Sequence, residues 1–324
     1  MFWDILTSKD RKGAVMFIPI LLFMLGLVFL VKGGDMFVGG ATGVARRFRI
    51  PELLIGATVV SIGTTLPEVI FSATSALEGH GSLAYGNAIG SIICNTALVA
   101  ALTILFRPSM VDRSSLILPT IFFFSASLIY TVSALVSGRM TRIIGVVFLT
   151  LFVLYVASLI WGARGSKVAS EQSPAGGKAG RFILFIIIGG ALIAIGSRLL
   201  VDGGTLIAEA LGVPEAVISL TFVAIGTSLP ELSTAITSIV KGHGSLALGN
   251  VIGANVLNLT LVCGVSATLS PFTIPTSAIV DIPVMRSVMA ILTLPPLIRG
   301  RLSRYQGILL ILIYSAFCLW RFIA

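Results

Sequence analysis

Ten apolar runs, each about the length that a helix needs to cross the hydrocarbon core of a bilayer, follow one another along this chain. Of its 324 residues, 56% are hydrophobic and 11% are charged, whereas a soluble domain carries about 25% charged residues. The sequence therefore predicts an all-α polytopic membrane protein with about ten transmembrane helices. These helices are expected at residues 14–33, 52–78, 83–106, 115–137, 140–162, 181–201, 214–240, 246–268, 276–298 and 303–323.

The chain contains an internal repeat with a constant shift of 163 residues. Residues 79–90, Gly-His-Gly-Ser-Leu-Ala-Tyr-Gly-Asn-Ala-Ile-Gly, return at 242–253 with two substitutions. A polar, Gly- and Ser-rich segment at 163–180 is typical of a flexible linker. It divides the chain into residues 1–162 and 181–324, with five predicted spans in each. Because five is odd, the second half must enter the bilayer from the opposite face, which predicts two inverted five-helix repeats.

The basic residues indicate how the chain is oriented. The net charge is +9, but the Lys and Arg side chains are spread over short loops and form no patch of the kind that binds nucleic acid. If the N-terminus is outside, thirteen basic residues lie in cytoplasmic loops against six outside. Positive charge is enriched in cytoplasmic loops, so both termini are predicted outside, with the 163–180 linker in the cytoplasm and the chain in the cell membrane. The first apolar run is interpreted as a span and not as a cleaved signal peptide.

The most unusual residues are two copies of one polar motif inside apolar runs. Residues 61–68 read Ser-Ile-Gly-Thr-Thr-Leu-Pro-Glu, and residues 224–231 read Ala-Ile-Gly-Thr-Ser-Leu-Pro-Glu. A carboxylate is costly in hydrocarbon, and a proline leaves an upstream carbonyl without its helical donor. Such a segment is tolerated at membrane depth only where it is buried in protein or lines a cavity. Matching interruptions in two halves point to a transport site, and each is predicted to break its helix.

A polar stripe follows each motif on the next helix. Asn87, Ser91 and Asn95 are four residues apart and share one helix face, and the second copy reads Asn250, Ala254 and Asn258. Neighbouring glycines allow that face to approach another helix closely. We therefore expect one central cluster, joined by freed carbonyls near Ser61 and Ala224. Its side chains are those of Glu68, Thr64, Thr65, Ser91, Asn95, Glu231, Thr227, Ser228 and Asn258.

This cluster contains oxygen ligands and neither histidine nor thiolate. Hard cations bind carboxylate, hydroxyl, amide and carbonyl oxygens. Two facing carboxylates carry a charge of −2, which one Ca²⁺, two or more Na⁺, or protons can balance, so the pair suits antiport. A cation channel is the alternative class, although it would show pore symmetry through oligomerisation. An intramembrane enzyme would need a nucleophile, a paired-Asp or a metal-His arrangement, and none is evident.

Segments 51–106 and 214–269 resemble the alpha-repeats of the calcium/cation antiporter superfamily. The motifs Gly-Thr-Thr-Leu-Pro-Glu and Gly-Thr-Ser-Leu-Pro-Glu, each followed by Gly-Asn-x-Ile-Gly, are similar to those of its sodium/calcium exchanger branch, prokaryotic type. The resemblance implies that Glu68 and Glu231 bind Ca²⁺ with carbonyls at Thr64 and Thr227. It implies that one chain suffices for transport, that three Na⁺ exchange for one Ca²⁺, and that the first and sixth spans slide. Flanking Na⁺ sites would use Thr64, Thr65, Ser91, Thr227, Ser228 and the carbonyls of Ser61 and Ala224.

Two positions depart from the pattern of that branch. Ala254 stands where a Na⁺-binding serine is frequent, and Asn258 stands where many members have an aspartate. These differences leave the coupling ion open, and H⁺/Ca²⁺ exchange remains the alternative within the superfamily. Among the other polar residues, Asp281 and Arg286 are expected to pair across one turn. His80 and His243 are expected to be turn residues.

Overall fold

The computed structural model describes residues 12–48, 50, 52–106, 108, 111, 113–164, 179–210 and 228–323. Within these ranges the chain forms ten helices and one pair of two-residue strands. The helices are α1 (Lys12–Phe48), α2 (Glu52–Ile55, Gly56–Val60 and Ser61–Leu77), α3 (Gly81–Cys94, Asn95–Ala100 and Ala101–Phe106), α4 (Arg113–Val136), α5 (Arg142–Arg164), α6 (Ala179–Ala210), α7 (Leu229–Val240), α8 (Gly244–Leu257, Asn258–Val262 and Cys263–Leu269), α9 (Ala278–Arg299) and α10 (Arg304–Ile323).

The helices have the lengths and compositions of membrane spans. In the described part of the chain, eight of them are long and apolar enough to cross a bilayer, and α7 is a shorter apolar helix. α10 has 20 residues and lies where the tenth span was predicted. Helix α8 is almost completely buried and α3 mostly so, whereas α1, α5 and α6 present most of their surface outward. The protein is therefore a polytopic helical membrane protein built around α3 and α8.

Helices α1 and α6 pair along their whole length through glycines spaced seven residues apart. On α1 these are Gly26, Gly33 and Gly40, and their repeat partners on α6 are Gly189, Gly196 and Gly203. A Cβ added to Gly26 would lie 2.8 Å from the Gly196 carbonyl oxygen, and one added to Gly33 would lie 2.9 Å from that of Gly189. Along the seam the residue numbers of α1 increase as those of α6 decrease, so the helices are antiparallel, as inverted repeats require. We call this contact the glycine seam.

Both seam helices are longer than predicted. The first span was expected at 14–33 and the sixth at 181–201, but α1 has 37 residues and α6 has 32. At 1.5 Å per residue α1 is about 55 Å long, well beyond the hydrocarbon thickness of about 30 Å. The predicted spans covered windows of about 20 apolar residues, whereas packing along the seam continues the helices to Phe48 and Ala210. The described helices also extend to Arg164 and from Ala179, so the linker is shorter than 163–180, and residues 165–178 lie outside the description.

The expected break at Pro67 does not occur. Pro67 lies inside the continuous α-helix Ser61–Leu77, and the irregular part of α2 is a π-helical turn, Gly56–Val60, immediately before Ser61. A π-helical turn is wider than an α-helical one and is common at functional sites. Two further π-helical turns begin at Asn95 and Asn258, which are repeat-related positions on α3 and α8. The distortion therefore falls on the helical turn beside each site residue and leaves Pro67 within the helix.

A short ladder joins the loops of the two halves outside the helices. Strand β1 (Arg139–Met140) pairs antiparallel with β2 (Phe272–Thr273), with Met140 opposite Phe272. Met140 is fully buried, and Gly81 at the start of α3 contacts the Phe272 side chain. These contacts connect the α4–α5 loop of the first half to the α8–α9 loop of the second.

Candidate ion-binding site

The two motif glutamates lie in the protein interior. Glu68 on α2 and Glu231 on α7 have no solvent-accessible surface, and their carboxylates interact electrostatically with each other. Glu231 is in the first turn of α7, which begins at Leu229 and Pro230, and the backbone N–H groups of a first turn favour negative charge. Among the described residues, both oxygens of Glu68 and Oε2 of Glu231 have no hydrogen-bond partner. Two buried carboxylates with three unpartnered oxygens are stable only when bound cations or protons balance their charge.

The hydroxyl groups of the motifs surround the carboxylates. Thr65 donates its hydroxyl to Oε1 of Glu231 at 3.5 Å, which connects the first half to the second. Ser228, at the N-terminal end of α7, is buried, and its Oγ has no hydrogen-bond partner within the described ranges. Ser61 is also fully buried, and its carbonyl accepts the Thr64 hydroxyl at 3.4 Å. Of the predicted site residues, Thr227 and Ala224 lie outside the described part of the chain.

The stripe asparagines lie at the π-helical turns of the two central helices. Asn95 begins the π-helical turn of α3 and Asn258 that of α8, and both side chains are completely buried. The turn of α8 packs against α2, and the turn of α3 packs against α7. All four amide atoms of the pair lack hydrogen-bond partners among the residues that the structure describes. Ser91, one turn before Asn95, is buried as well.

Two asparagines of the polar stripes, Asn87 and Asn250, form hydrogen bonds to the motif helices, α2 and α7, which carry the Pro-Glu motifs. The sequence predicts their place on the stripes but not these bonds. Asn250 on α8 accepts the Thr64 hydroxyl at 3.2 Å and donates to Oγ1 of Thr234 on α7 at 2.8 Å. It therefore joins α2 and α7 across the repeat boundary. Asn87 on α3 donates to Ser72 at 2.8 Å and to the carbonyl of Glu68 at 3.4 Å. The equal spacing of Asn87 and Asn250 from the site asparagines was the signal that could have identified them.

The unpartnered atoms define the chemistry of the site. They belong to five residues, Glu68, Glu231, Asn95, Asn258 and Ser228, and all but the two amide nitrogens are oxygens. Among the described residues no three His, Cys, Asp or Glu side chains group as a metal site. A transition-metal site of several nitrogen or sulfur ligands does not fit this ligand set, whereas a hard cation with carboxylate, hydroxyl and amide ligands does. A narrow cleft beside the site lies between α2 and α6, lined by Gly63, Thr64, Pro67, Gly190, Ile193 and Ala194, together with Phe37 and Pro230.

A second buried carboxylate is part of a different network. The expected pair of Asp281 with Arg286 is wrong, because Asp281 binds Arg321 of α10 at 3.0 Å. Its Oδ2 also accepts the hydroxyls of Ser277 at 2.8 Å and Tyr85 at 3.2 Å. Tyr85 and Arg321 are distant from Asp281 in sequence, and only the packing of α3 and α10 against α9 brings them together. Their charges are balanced within the network, which ties the last two helices to α3.

His80 and His243 occupy repeat-related positions at the N-terminal ends of α3 and α8. The backbone carbonyl of His80 accepts from the amides of Leu83 and Ala84, and that of His243 accepts from Leu246 and Ala247. These backbone bonds begin each helix, so both histidines are turn residues.

Comparison with known proteins places these features in a family. The family model described as "Sodium/calcium exchanger protein" matches residues 18–161 and 181–323, one match in each half. The chain is 34% identical over 320 residues to the putative antiporter CaxA of Alkalimonas amylolytica, covering 93% of this chain and 98% of that protein. It is 30% identical over 342 residues to the sodium/calcium exchanger MaX1 of Methanosarcina acetivorans, covering 92% and 96%. A structure of the sodium-calcium exchanger NCX_Mj soaked with Na⁺ and Sr²⁺ superimposes with a TM-score of 0.81 at 31% identity, covering 93% of this chain and 98% of that one.

Proposed function

Because this chain belongs to the sodium/calcium exchanger family, we propose that it exchanges Ca²⁺ for Na⁺ across the membrane by alternating access. The family is one of exchangers, a class of transport protein. The observation that carries the proposal is the buried Glu68–Glu231 pair with its unpartnered oxygens. One divalent ion neutralises the charge of the two carboxylates. Two monovalent ions do so as well, with the weaker ligands around the pair completing their coordination. The same site can therefore be filled by either load but is unfavourable when empty.

We propose the site residues as ligands in two groups. Glu68 and Glu231, with backbone carbonyls at Thr64 and Thr227, hold Ca²⁺. The burial of both glutamates and the contact from Thr65 to Glu231 support this assignment. The remaining predicted ligands hold Na⁺ around this centre. They are Thr64, Thr65, Ser91, Asn95, Thr227, Ser228, Asn258 and the carbonyls of Ser61 and Ala224.

The topology and assembly follow from the same family layout. We propose that residues 1–162 and 181–324 are the two inverted repeats and that a single chain is sufficient for transport. We further propose a place in the cell membrane, with both termini outside and the linker in the cytoplasm. Labelling of a cysteine introduced at Ser173 by an impermeant reagent, added to intact cells, would contradict this orientation.

The proposal is tested by ⁴⁵Ca²⁺ uptake into proteoliposomes that contain the purified protein. An outward Na⁺ gradient should drive uptake, and both Glu68→Gln and Glu231→Gln should reduce it to the level of protein-free vesicles. Thr150→Ala is the matched control, because its hydroxyl only bonds back to Val146 on an exposed face of α5. Uptake that survives in both glutamate variants would rule out the assignment.

The coupling ion is identified in the same vesicles by imposing Na⁺ and pH gradients separately. The match to the sodium/calcium exchanger family favours Na⁺ as the coupling ion, whereas in an H⁺/Ca²⁺ exchanger Glu68 and Glu231 would carry the protons. Uptake that follows the pH gradient and ignores Na⁺ would identify an H⁺/Ca²⁺ exchanger. Flux independent of any opposing ion would instead identify a channel.

A further inference from the structure

The repeat shift relates an ion pair in one half of the protein to a complementary pair of charges in the other. Asp35 on α1 corresponds to Arg198 on α6, and Lys241 at the end of α7 corresponds to Glu78 at the end of α2. The correspondence is well anchored, because the same shift superimposes all three glycines of the seam. The two pairs therefore occupy equivalent places, with the signs of the charges reversed.

The first pair is formed in this structure. Nζ of Lys241 lies 3.1 Å from Oδ1 of Asp35 and 2.8 Å from the Asp35 carbonyl oxygen. Two more contacts hold the same helices together at neighbouring turns. Ser233 donates to the carbonyl of Leu30 at 3.0 Å, and a Cβ added to Gly34 would lie 2.6 Å from Oγ1 of Thr237. Helix α1 is thus closed against α7.

The second pair is not formed. Arg198 instead lies 3.9 Å from Asp202 on its own helix, and the described residues include no ion pair to Glu78. Thr74, the repeat partner of Thr237, is exposed, and so is Glu78. The cleft beside Thr64 is lined mainly by α2 and α6, with Phe37 of α1 and Pro230 of α7. The α2–α6 side is therefore open where the α1–α7 side is closed.

We propose that Asp35–Lys241 and Arg198–Glu78 are two latches that close alternately, one in each access state of the carrier. The argument rests on the alternating access proposed above. In an inverted repeat, exchanging the conformations of the two halves turns one access state into the other. That exchange would open the contact between α1 and α7 and bring Arg198 to Glu78. Each latch then lowers the free energy of one state only, so together they set the population ratio without contacting the ions.

The latches differ from ordinary surface ion pairs because they act on the equilibrium between the two access states. An ion pair within one helix contributes only to the stability of the folded protein. Each of these pairs instead joins a seam helix, α1 or α6, to a motif helix, α7 or α2. The Asp35 and Lys241 side chains are 48% and 34% exposed, so the pair is partly shielded. Pairs of this kind shift an equilibrium about two- to fivefold. That is enough to change a population ratio that is near balance.

The test measures the reactivity of two reporter cysteines with a small thiol reagent, in permeabilised proteoliposomes with Na⁺ present so that the carrier can reorient. Thr237→Cys reports opening of the α1–α7 side and Thr74→Cys reports closing of the α2–α6 side. Lys241→Gln should raise the rate at Thr237→Cys and lower the rate at Thr74→Cys, each about two- to fivefold. Glu78→Gln should do the reverse, and the double variant should restore the original ratio.

The distant reporter decides the outcome in each case, because a local loss of charge cannot alter it directly. Asp35→Asn provides a second opening variant if Lys241→Gln proves unstable, and Arg142→Gln removes an exposed charge that belongs to neither latch. The parent chain gives the background from Cys94, Cys263 and Cys318. The proposal is overturned if both single substitutions move the reporters in the same direction, or if Glu78→Gln changes neither rate. Failure of Na⁺-driven uptake would instead count against the exchange function and leave the reporter rates interpretable.

Discussion

At the scale of single residues, the site depends on side chains that hold other side chains. Asn250 is the clearest case, because it contacts Thr64 of the first half and Thr234 of the second with one amide group. Neither contact involves a carboxylate. The amide nevertheless fixes the distance between the two motif helices, and a cation site loses affinity when its ligands are free to move apart.

We expect Asn250→Ala to weaken Ca²⁺ binding while the protein still folds. Losing these hydrogen bonds costs about 1 kcal/mol, which corresponds to roughly a fivefold increase in the Ca²⁺ concentration that gives half-maximal exchange. The measurement is the dependence of the initial uptake rate on Ca²⁺ concentration.

The control for this prediction is Asn255→Ala. Asn255 is an equally buried amide on α8 that donates to Thr96 at 2.7 Å and contacts neither motif helix through a hydrogen bond. It should lower thermal stability more than it changes the half-saturating concentration. Equal half-saturation shifts in the two variants would show that Asn250 has no particular role at the site.

At the scale of helices, the glycine seam decides how α1 and α6 behave. Six glycines at seven-residue intervals let the two helices approach so closely that an added Cβ would meet backbone atoms of the partner helix. Contacts repeated every seven residues suit a long pair of helices whose axes remain close side by side. The two helices of such a pair are held tightly to each other. The pair has few interlocking side chains that would fix its position along the helix axis relative to the rest of the protein.

Gly33→Leu should disrupt this pair. A Cβ at Gly33 would already lie 2.9 Å from the carbonyl oxygen of Gly189, so a leucine must force the helices apart, at a cost of about 1–3 kcal/mol. We expect a lower melting temperature in detergent and a large loss of exchange. Gly39→Leu is the matched control on the same helix, since a Cβ there meets nothing within 4 Å. Equal effects of the two substitutions would disprove a specific role for the seam.

The sequence predicts the helices but not most of the contacts between them. The helices and the two motif glutamates are visible in the sequence because each signal is local or is repeated at a constant shift. Of the seventh predicted span, 214–240, only the residues from 228 onward are described. The seam was equally repeated but was not recognised, since glycines were considered only beside the motifs. The Asp281–Arg321 pair and the π-helical turns had no local signal, because they result from packing between distant helices. The end of α1 was predicted too early, because the apolar window covers only residues 14–33 and the contacts that accompany the rest of the helix are made with distant α6.

At the scale of the whole molecule, exchange moves charge through a polar site that mainly apolar helices enclose. If three Na⁺ leave for each Ca²⁺ that enters, each cycle transfers one net positive charge outward. Work against the membrane potential is then about 2.3 kcal/mol per 100 mV for each cycle.

The expected result is that an inside-positive potential accelerates Ca²⁺ uptake and an inside-negative one slows it. A change of about 60 mV should alter the equilibrium Ca²⁺ accumulation about tenfold. Potassium diffusion potentials imposed with an ionophore on the same proteoliposomes provide the measurement, with vesicles at zero potential as reference. Uptake that is insensitive to potential would indicate two monovalent ions for each Ca²⁺.

The contacts across the repeat boundary also affect how the chain is made. Thr64 meets Asn250 across 186 positions, and Thr65 meets Glu231 across 166. A ribosome delivers α2 to the bilayer long before either partner, or the seam helix α6, has been synthesised. The nascent first half must therefore keep an ionisable group and a bare glycine face in lipid until the second half arrives. Chains that terminate in the linker should accordingly depend on insertion chaperones and be removed by membrane proteases.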